Sequence, residues 1–151
     1  MDPLSIATGV ASLVLSTTKV VKQCNDFRSK YKIASITLPA IATECHTICI
    51  ALSQIEALFD RDPNGTSARL NSKAHLRLVF ENALTGCAIV VSIIDDELEK
   101  LMKSAQDDVS GQPSRMARVK YVWNEDTMKE LLQQARGQQT AIQTLLAALQ
   151  S

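Results

Sequence analysis

The stretch MDPLSIATGVASLVLSTTKVVKQC, residues 1–24, decides how this 151-residue chain folds. No charged side chain occurs from Pro3 to Thr18, and apolar side chains recur there at alternating steps of four and three residues. That 3.5-residue repeat is typical of a helix that packs against other helices. The repeat runs on through Ile6, Val10, Leu13, Thr17, Val20, Cys24, Phe27 and Tyr31. The sequence therefore predicts a long first helix with one buried seam.

Three further segments keep helical spacing, and turn-forming residues separate them. The breaks are the clusters DRDPNGTS (60–67) and SAQDDVSGQPS (104–114) and a weaker one before Pro39. The second seam consists of Ile41, Cys45, Ile48, Leu52, Ile55 and Phe59. The third consists of Leu76, Phe80, Ala83, Cys87, Val90, Ile94, Leu98 and Leu101. The fourth is less regular and consists of Met116, Val119, Trp123, Leu131, Leu132, Ala135, Ile142, Leu145, Leu146 and Leu149.

Composition and length agree with a single helical domain over residues 1–151. Ala, Leu, Ile and Val dominate, whereas the chain has only three Phe, two Tyr and one Trp, which favours helix-on-helix packing. We predict an all-α fold, an antiparallel bundle of four long helices. Expected departures are a short extra helix, or kinks near Gly86 and Gly137, since glycine inside a helix indicates a bend or a close helix contact.

Residues for enzymatic chemistry are scarce. The sequence has no nucleophile elbow, phosphate loop, zinc-protease or dinucleotide motif. Cys45, His46 and Cys49 lack the spacing of a tetrahedral metal set. The four cysteines lie inside apolar helical patterns, which indicates buried thiols in a reducing compartment. We therefore expect no catalytic residue, no cofactor and no metal.

Nucleic acid is not an expected partner either. Lys and Arg together number 16, as do Asp and Glu, so no overall charge attracts phosphate. One local patch, Arg115, Arg118 and Lys120 beside Tyr121 and Trp123, has the charges and rings that bind single strands. Trp123 lies on the apolar stripe, however, and a core tryptophan flanked by solvated cations is the more common arrangement.

The uncharged front of the first helix has two interpretations. A secretion signal would place positive charge before the apolar run, whereas here the lysines follow it. The sixteen residues from Pro3 to Thr18, six of them with hydroxyls, are too few and too polar for a permanent membrane span. Two interpretations remain. The segment is either a core helix of the bundle or a helix that, once released, docks on an anionic membrane. The basic residues that follow are Lys19, Lys22, Arg28, Lys30 and Lys32.

The opening MDPLSIATGVASLV (1–14) and the closing run VWNEDTMKELLQQARGQQTAIQTLLAALQ (122–150) resemble the N-terminal helical domain of fungal STAND proteins, the NLR-like receptors, and of related HeLo-like proteins. The resemblance implies a signalling or executioner module in programmed cell death or heterokaryon incompatibility. It also implies that oligomerisation exposes the N-terminal helix, which then permeabilises membranes. A nucleotide-binding oligomerisation module and repeats would follow in a longer chain.

Transferred to this sequence, the resemblance gives the first helix the membrane-active role and gives Trp123 and Gly137 structural roles. The membrane-active set is Leu4, Ile6, Ala7, Gly9, Val10, Ala11, Leu13, Val14 and Leu15. The expected partners are further copies of the chain, anionic lipids and the downstream modules, for a cytoplasmic protein that associates conditionally with membranes. The alternative is a self-associating or protein-binding bundle without membrane activity.

Overall fold

The computed structural model describes residues 3–31, 36–106 and 123–151, with the side chains of residues 3–5, 31, 74, 105 and 106 outside the description. These ranges form five helices: α1 (Pro3–Tyr31), α2 (Thr37–Arg61), α3 (Pro63–Asn71), α4 (Ala74–Gln106) and α5 (Glu125–Gln150). Four are long and the described ranges hold no strand, so the all-α prediction is confirmed. Predicted positions outside the described residues are Lys32, Arg115, Met116, Arg118, Val119, Lys120 and Tyr121.

The cluster DRDPNGTS contains one short break and then a helix. The α2 helix continues to Arg61, and Asp62 caps the start of α3 by accepting a hydrogen bond from the Gly65 amide at 3.0 Å. Pro63 occupies the first helical position, where a missing N–H is harmless. This is the short extra helix, and its position was not predicted because Asp-Pro marks a helix start as well as a turn.

The predicted seams form the core. Every described member of the α1 and α2 seams is buried, and so are those of α4 and α5 except the partly buried Leu76 and Trp123. Thr17 is the polar member of the α1 seam, and its hydroxyl donates to the Leu13 carbonyl at 2.9 Å. That bond satisfies the hydroxyl inside the core. The heptad prediction is therefore confirmed for the described residues.

Consecutive long helices run antiparallel, as predicted, but each long helix also has a parallel neighbour. The α1 helix packs on α2 and α4, and α5 packs on the same two helices. The chain reverses direction from α1 to α2 and again, through α3, from α2 to α4, so α1 and α4 run parallel, and Lys19 of α1 meets Asp95 and Glu99 of α4. Contacts of Thr37 with Glu125 and of Glu44 with Arg136 show the same for α2 and α5. This order arises because α3 crosses one end of the bundle, touches all four long helices and carries the chain from α2 to α4.

Gly86 in α4 and Gly137 in α5 differ in their surroundings. Both α4 and α5 run unbroken through them. A Cβ added at Gly86 would lie 3.0 Å from the Gln138 amide, so the expected close contact exists between α4 and α5. A Cβ at Gly137 would meet no heavy atom within 4 Å, so the close contact expected there is absent. The α5 stripe passes from Ala135 to Ile142, and Gln138 lies between them against Gly86.

Candidate functional site

The predicted membrane-active residues do not form one surface in the folded bundle. Ile6, Val10 and Leu13 are buried in the core. Ala7, Ala11 and Val14 are half-buried, whereas Gly9 is exposed and Leu15 is 73% exposed. The backbone of Leu4 belongs to α1, and its side chain lies outside the described ones. Contact of this set with a membrane therefore requires that α1 separate from α2 and α4.

The hydroxyl groups of α1 bond to the helix itself. Ser16 donates to the Ser12 carbonyl at 3.1 Å, and Thr18 donates to the Val14 carbonyl at 2.7 Å. Together with Thr17, three of the six hydroxyls of the uncharged segment are thus satisfied by backbone four residues earlier. These bonds lie within α1, so the helix keeps them when its surroundings change.

The predicted basic residues differ in their surroundings. Lys19 pairs with Asp95 at 3.5 Å and with Glu99 at 4.0 Å, so it links α1 to α4. Lys22, Arg28 and Lys30 are exposed. Asp95 and Glu99 belong to the acidic run DDELEK (95–100) of α4, and this run therefore makes an interhelical contact. Lys19 is 57% exposed, and ion pairs held by an exposed lysine contribute little to stability, about 0–1 kcal/mol.

A groove of about 480 Å³ lies between α1 and α4. Its floor is apolar, with Leu13, Val20 and Val91 among the core residues that line it, and the Lys19–Asp95 pair lies at one end. Small side chains of both helices form its walls: Gly9, Ser12 and Ser16 from α1, and Thr85, Ala88 and Ser92 from α4. Small walls keep the groove open and leave room for a side chain or a helix from outside.

The α4 helix carries an apolar outer surface that sequence reasoning missed. Residues 82–94 contain no charge, and four large apolar side chains that lie outside the predicted seam are exposed here or just before it. They are Leu78 (57% exposed), Val79 (50%), Ile89 (55%) and Ile93 (39%). Both signals, the missing charge and the off-seam apolar positions, are present in the sequence.

Two helices in the described ranges are long and apolar enough to cross a membrane, within Thr37–Arg61 and His75–Ser104. Core helices of soluble proteins meet the same criterion. The α4 window is the less buried of the pair, 33% against 44%.

The cysteines lie where three helices meet. Cys24 of α1, Cys45 of α2 and Cys87 of α4 are buried, as predicted, and all described cysteines are free thiols. Burial raises the pKa of Cys24 and Cys45 to about 12 and that of Cys87 to about 11. Cys49 was predicted to be buried as well but is half-buried, with its sulfur 3.3 Å from the Thr18 hydroxyl. In the described part of the chain, no group of three or more His, Cys, Asp or Glu has the arrangement to hold a metal ion.

Trp123 and Glu125 fasten the start of α5. The Trp123 indole donates to one Glu125 carboxylate oxygen at 2.6 Å, and the Thr37 hydroxyl donates to the other. Trp123 is half-buried against the core. The contacts give Trp123 a structural position at the junction of α2 and α5.

Comparison with protein-family models, curated proteins and solved structures finds no match to this chain. The resemblance to HeLo-like domains thus stays a prediction, based on the two quoted stretches.

Proposed function

We propose that this chain is a non-enzymatic signalling and effector domain of a fungal NLR-like (STAND) protein, which self-associates and then presents α1 to a membrane in programmed cell death or heterokaryon incompatibility. The biological setting comes from the sequence resemblance. The membrane step is supported by the chemistry of α1. Its partners would be further copies of the chain, anionic lipids and a nucleotide-binding oligomerisation module in a cytoplasmic receptor.

The observation that carries the proposal is the internal bonding of the α1 hydroxyls. A polar group without a partner costs several kcal/mol in the hydrocarbon of a bilayer. Ser16, Thr17 and Thr18 keep their partners within α1, at 3.1, 2.9 and 2.7 Å. The uncharged segment can therefore leave the bundle for lipid without leaving these hydroxyls unsatisfied.

The length and charge order of α1 favour docking in the membrane interface. Sixteen helical residues span about 24 Å, less than the ~30 Å hydrocarbon core. Lys19 and Lys22 follow the segment, at the level where anionic headgroups attract them. In the bundle Asp95 and Glu99 hold Lys19, so lipid phosphates would compete with these carboxylates.

Release of α1 must also move the buried Ile6, Val10 and Leu13 out of the core. Each such side chain loses roughly 1.5–3 kcal/mol when it passes into water. A bilayer returns a similar amount, because lipid tails are as apolar as the core. The folded bundle is therefore the resting state, and the active state has α1 in lipid.

A reversible crosslink between α1 and α2 tests this step. Thr18→Cys places a second thiol beside Cys49, since the two side chains already meet at 3.3 Å. The buried Cys24, Cys45 and Cys87 resist oxidation because burial raises the pKa of each thiol. We expect the oxidised variant to leave anionic liposomes intact, and the reduced variant to release their contents.

The matched control is Thr18→Cys with Cys49→Ser, which cannot form the crosslink and should be active under both conditions. Liposomes of zwitterionic lipid should leak less, because they lack the charge that attracts Lys19 and Lys22. If the crosslinked protein lyses anionic liposomes as fast as the reduced one, α1 does not leave the bundle and the proposed mechanism is wrong.

The second candidate is a self-associating bundle that never meets lipid, and the exposed Leu78, Ile89 and Ile93 of α4 favour it. In that case the wild-type chain neither binds nor permeabilises anionic liposomes, yet its mass in solution rises with concentration. The two candidates thus differ in a lipid measurement that does not depend on the state of association.

A further inference from the structure

Over residues 82–94, α4 is apolar on every side and not only on the side that faces the core. The seam residues of this stretch are buried. Leu84 lines the groove on the α1 side, and Ile89 is 55% exposed on the outer side. Ile93 lies seven residues after Gly86, on the side that faces α5. A bundle helix needs one apolar stripe, whereas a helix that is apolar all round suits a medium that surrounds it.

The apolar residues of α4 exceed what the core of this bundle buries. Two helices are long and apolar enough to cross a membrane, and the α4 window is both the more apolar and the less buried of the two. Of the described side chains, α2 exposes one large apolar residue, Ile50, whereas α4 exposes four. Composition and exposure together single out α4 as the helix that gains most from further apolar surroundings.

The polar groups of α4 are placed so that the stretch can lie in hydrocarbon. Charged residues flank the stretch, with Glu81 before it and Asp95 after it. Glu81 pairs with Arg77 of the same helix at 3.4 Å, so this carboxylate keeps its partner when the surroundings of α4 change. Thr85 and Ser92 have hydroxyls of the kind that bond the carbonyl four residues earlier in a helix. The 18-residue window measures about 27 Å, close to the ~30 Å of the hydrocarbon core.

Release of α1 uncovers a further side of α4. In the resting bundle Leu84 and the buried Val91 line the groove that α1 and α4 share. Lys19 pairs with Asp95 at the end of the same groove. When α1 leaves, both apolar side chains face water and the ion pair is lost, while the bilayer that has taken up α1 lies nearby. That bilayer is an apolar medium that can surround the whole stretch.

We propose that α4 follows α1 into the bilayer and places residues 82–94 in its hydrocarbon. The inference rests on the proposed function, because α1 leaves the bundle first, and it adds a second lipid-bound helix. The two helices differ in depth. The α1 helix docks in the interface, where its lysines meet headgroups, whereas α4 lies deeper because its stretch is apolar on every side.

Depth-dependent fluorescence quenching of the whole chain tests this difference. A nitrobenzoxadiazole probe is attached to Ile89→Cys or to Leu15→Cys in a Cys49→Ser background. Anionic liposomes carry a nitroxide either on the lipid tails or on the headgroups. The labelling reagent does not reach the other three cysteines because they are buried. We expect tail nitroxides to quench the probe at position 89 more strongly than headgroup nitroxides do, and the reverse at position 15.

The outcomes for the two helices are distinguishable. If the probe on α1 is quenched by headgroup nitroxides while the probe on α4 stays in water, the inference is wrong and the proposal for α1 stands. If neither probe is quenched, both are wrong. If the probe on α4 shows its full blue shift without liposomes, protein and not lipid covers this side of the helix, and the inference is again wrong.

A matched pair of charge variants tests the same step through leakage. Ile89→Asp should slow leakage from anionic liposomes about tenfold or more at equal bound protein, since a carboxylate in hydrocarbon is costly. Ile50 of α2 is an isoleucine of similar exposure, 47% against 55%, so Ile50→Asp should leave leakage within about twofold of wild type. Unchanged leakage with Ile89→Asp, or an equal loss in both variants, would overturn the inference.

Discussion

Two uncharged stretches, residues 3–18 in α1 and residues 82–94 in α4, look alike in the sequence but present different surfaces. The outward side of α1 carries mostly small or hydroxyl-bearing residues such as Thr8 and Ser16, and one large apolar side chain, Leu15. The outward side of α4 carries Ile89 and Ile93. The outward side of the α1 stretch therefore exposes little large apolar surface to water, whereas the outward side of the α4 stretch exposes large apolar side chains.

This difference shows that a missing charge has two physical meanings. In α1 it leaves a helix whose hydroxyls bond internally, so the segment tolerates either water or lipid on its outer side. In α4 it leaves apolar area in water, and covering one such side chain contributes roughly 1–3 kcal/mol. The α4 stretch thus favours further apolar surroundings, and the α1 stretch favours a change of environment.

The largest expected effect is on the free energy of unfolding, and it differs between substitutions in the two stretches. Val10→Asp in α1 buries a charge at a fully buried position and should cost more than about 4 kcal/mol, a large part of the stability of a domain of this size. Ile89→Asp in α4 lies on the outside and should change the stability of the monomer by less than about 0.5 kcal/mol. Urea unfolding followed by circular dichroism at low protein concentration measures both. Equal losses would mean that Ile89 belongs to the core.

An intermediate effect is the loss of stability at alkaline pH, which arises from the buried thiol in each of the two helices. Burial raises the pKa of Cys24 in α1 from 9.0 to about 12 and that of Cys87 in α4 to about 11. Unfolded thiols ionise above pH 9 while the folded ones stay protonated, so stability is full below pH 9 and falls as pH rises towards 11 or 12. At pH 10 the loss should be about 1.4 kcal/mol per thiol.

Urea unfolding at pH 8, 9 and 10 measures this loss. Cys24→Ala and Cys87→Ala are the controls, because each removes the share of its own thiol from the pH dependence, whatever it does to stability at pH 8. A wild-type and variant pair with the same slope between pH 9 and 10 would show that the thiol is already accessible in the folded chain.

The sequence was sufficient for the fold because the 3.5-residue seams are a local property. Each described seam residue of α1, from Ile6 to Phe27, is buried as its spacing predicts. The start of α3 was missed since Asp62 and Pro63 serve a turn and a helix cap equally well. Periodicity gives the inward side of a helix, but it does not say which helices become neighbours.

The candidate site depends on that missing information. The groove exists because α3 carries α4 to the side of α1, and the link from Lys19 to Asp95 joins residues 76 positions apart. The apolar outer surface of α4 could be predicted from the sequence, since Ile89 and Ile93 lie off the seam in a stretch without charge. The family resemblance is carried by residues 1–14 and 122–150, and this second uncharged stretch lies outside both.

The smallest expected effect on stability is that of replacing a glycine by alanine in each of the same two helices. Gly9 of α1 has no atom within 4 Å of an added Cβ, so Gly9→Ala should stabilise the fold by about 0.5–1 kcal/mol through helix propensity. Gly86→Ala in α4 gains the same propensity but pushes the Gln138 amide, 3.0 Å from the new Cβ. We expect a net change within about 0.5 kcal/mol of zero. Thermal unfolding measures both, with Gly137→Ala as an open-space control in α5. A gain at Gly86 equal to that at Gly9 would mean that Gln138 yields freely, and that the contact between α4 and α5 does not depend on this glycine.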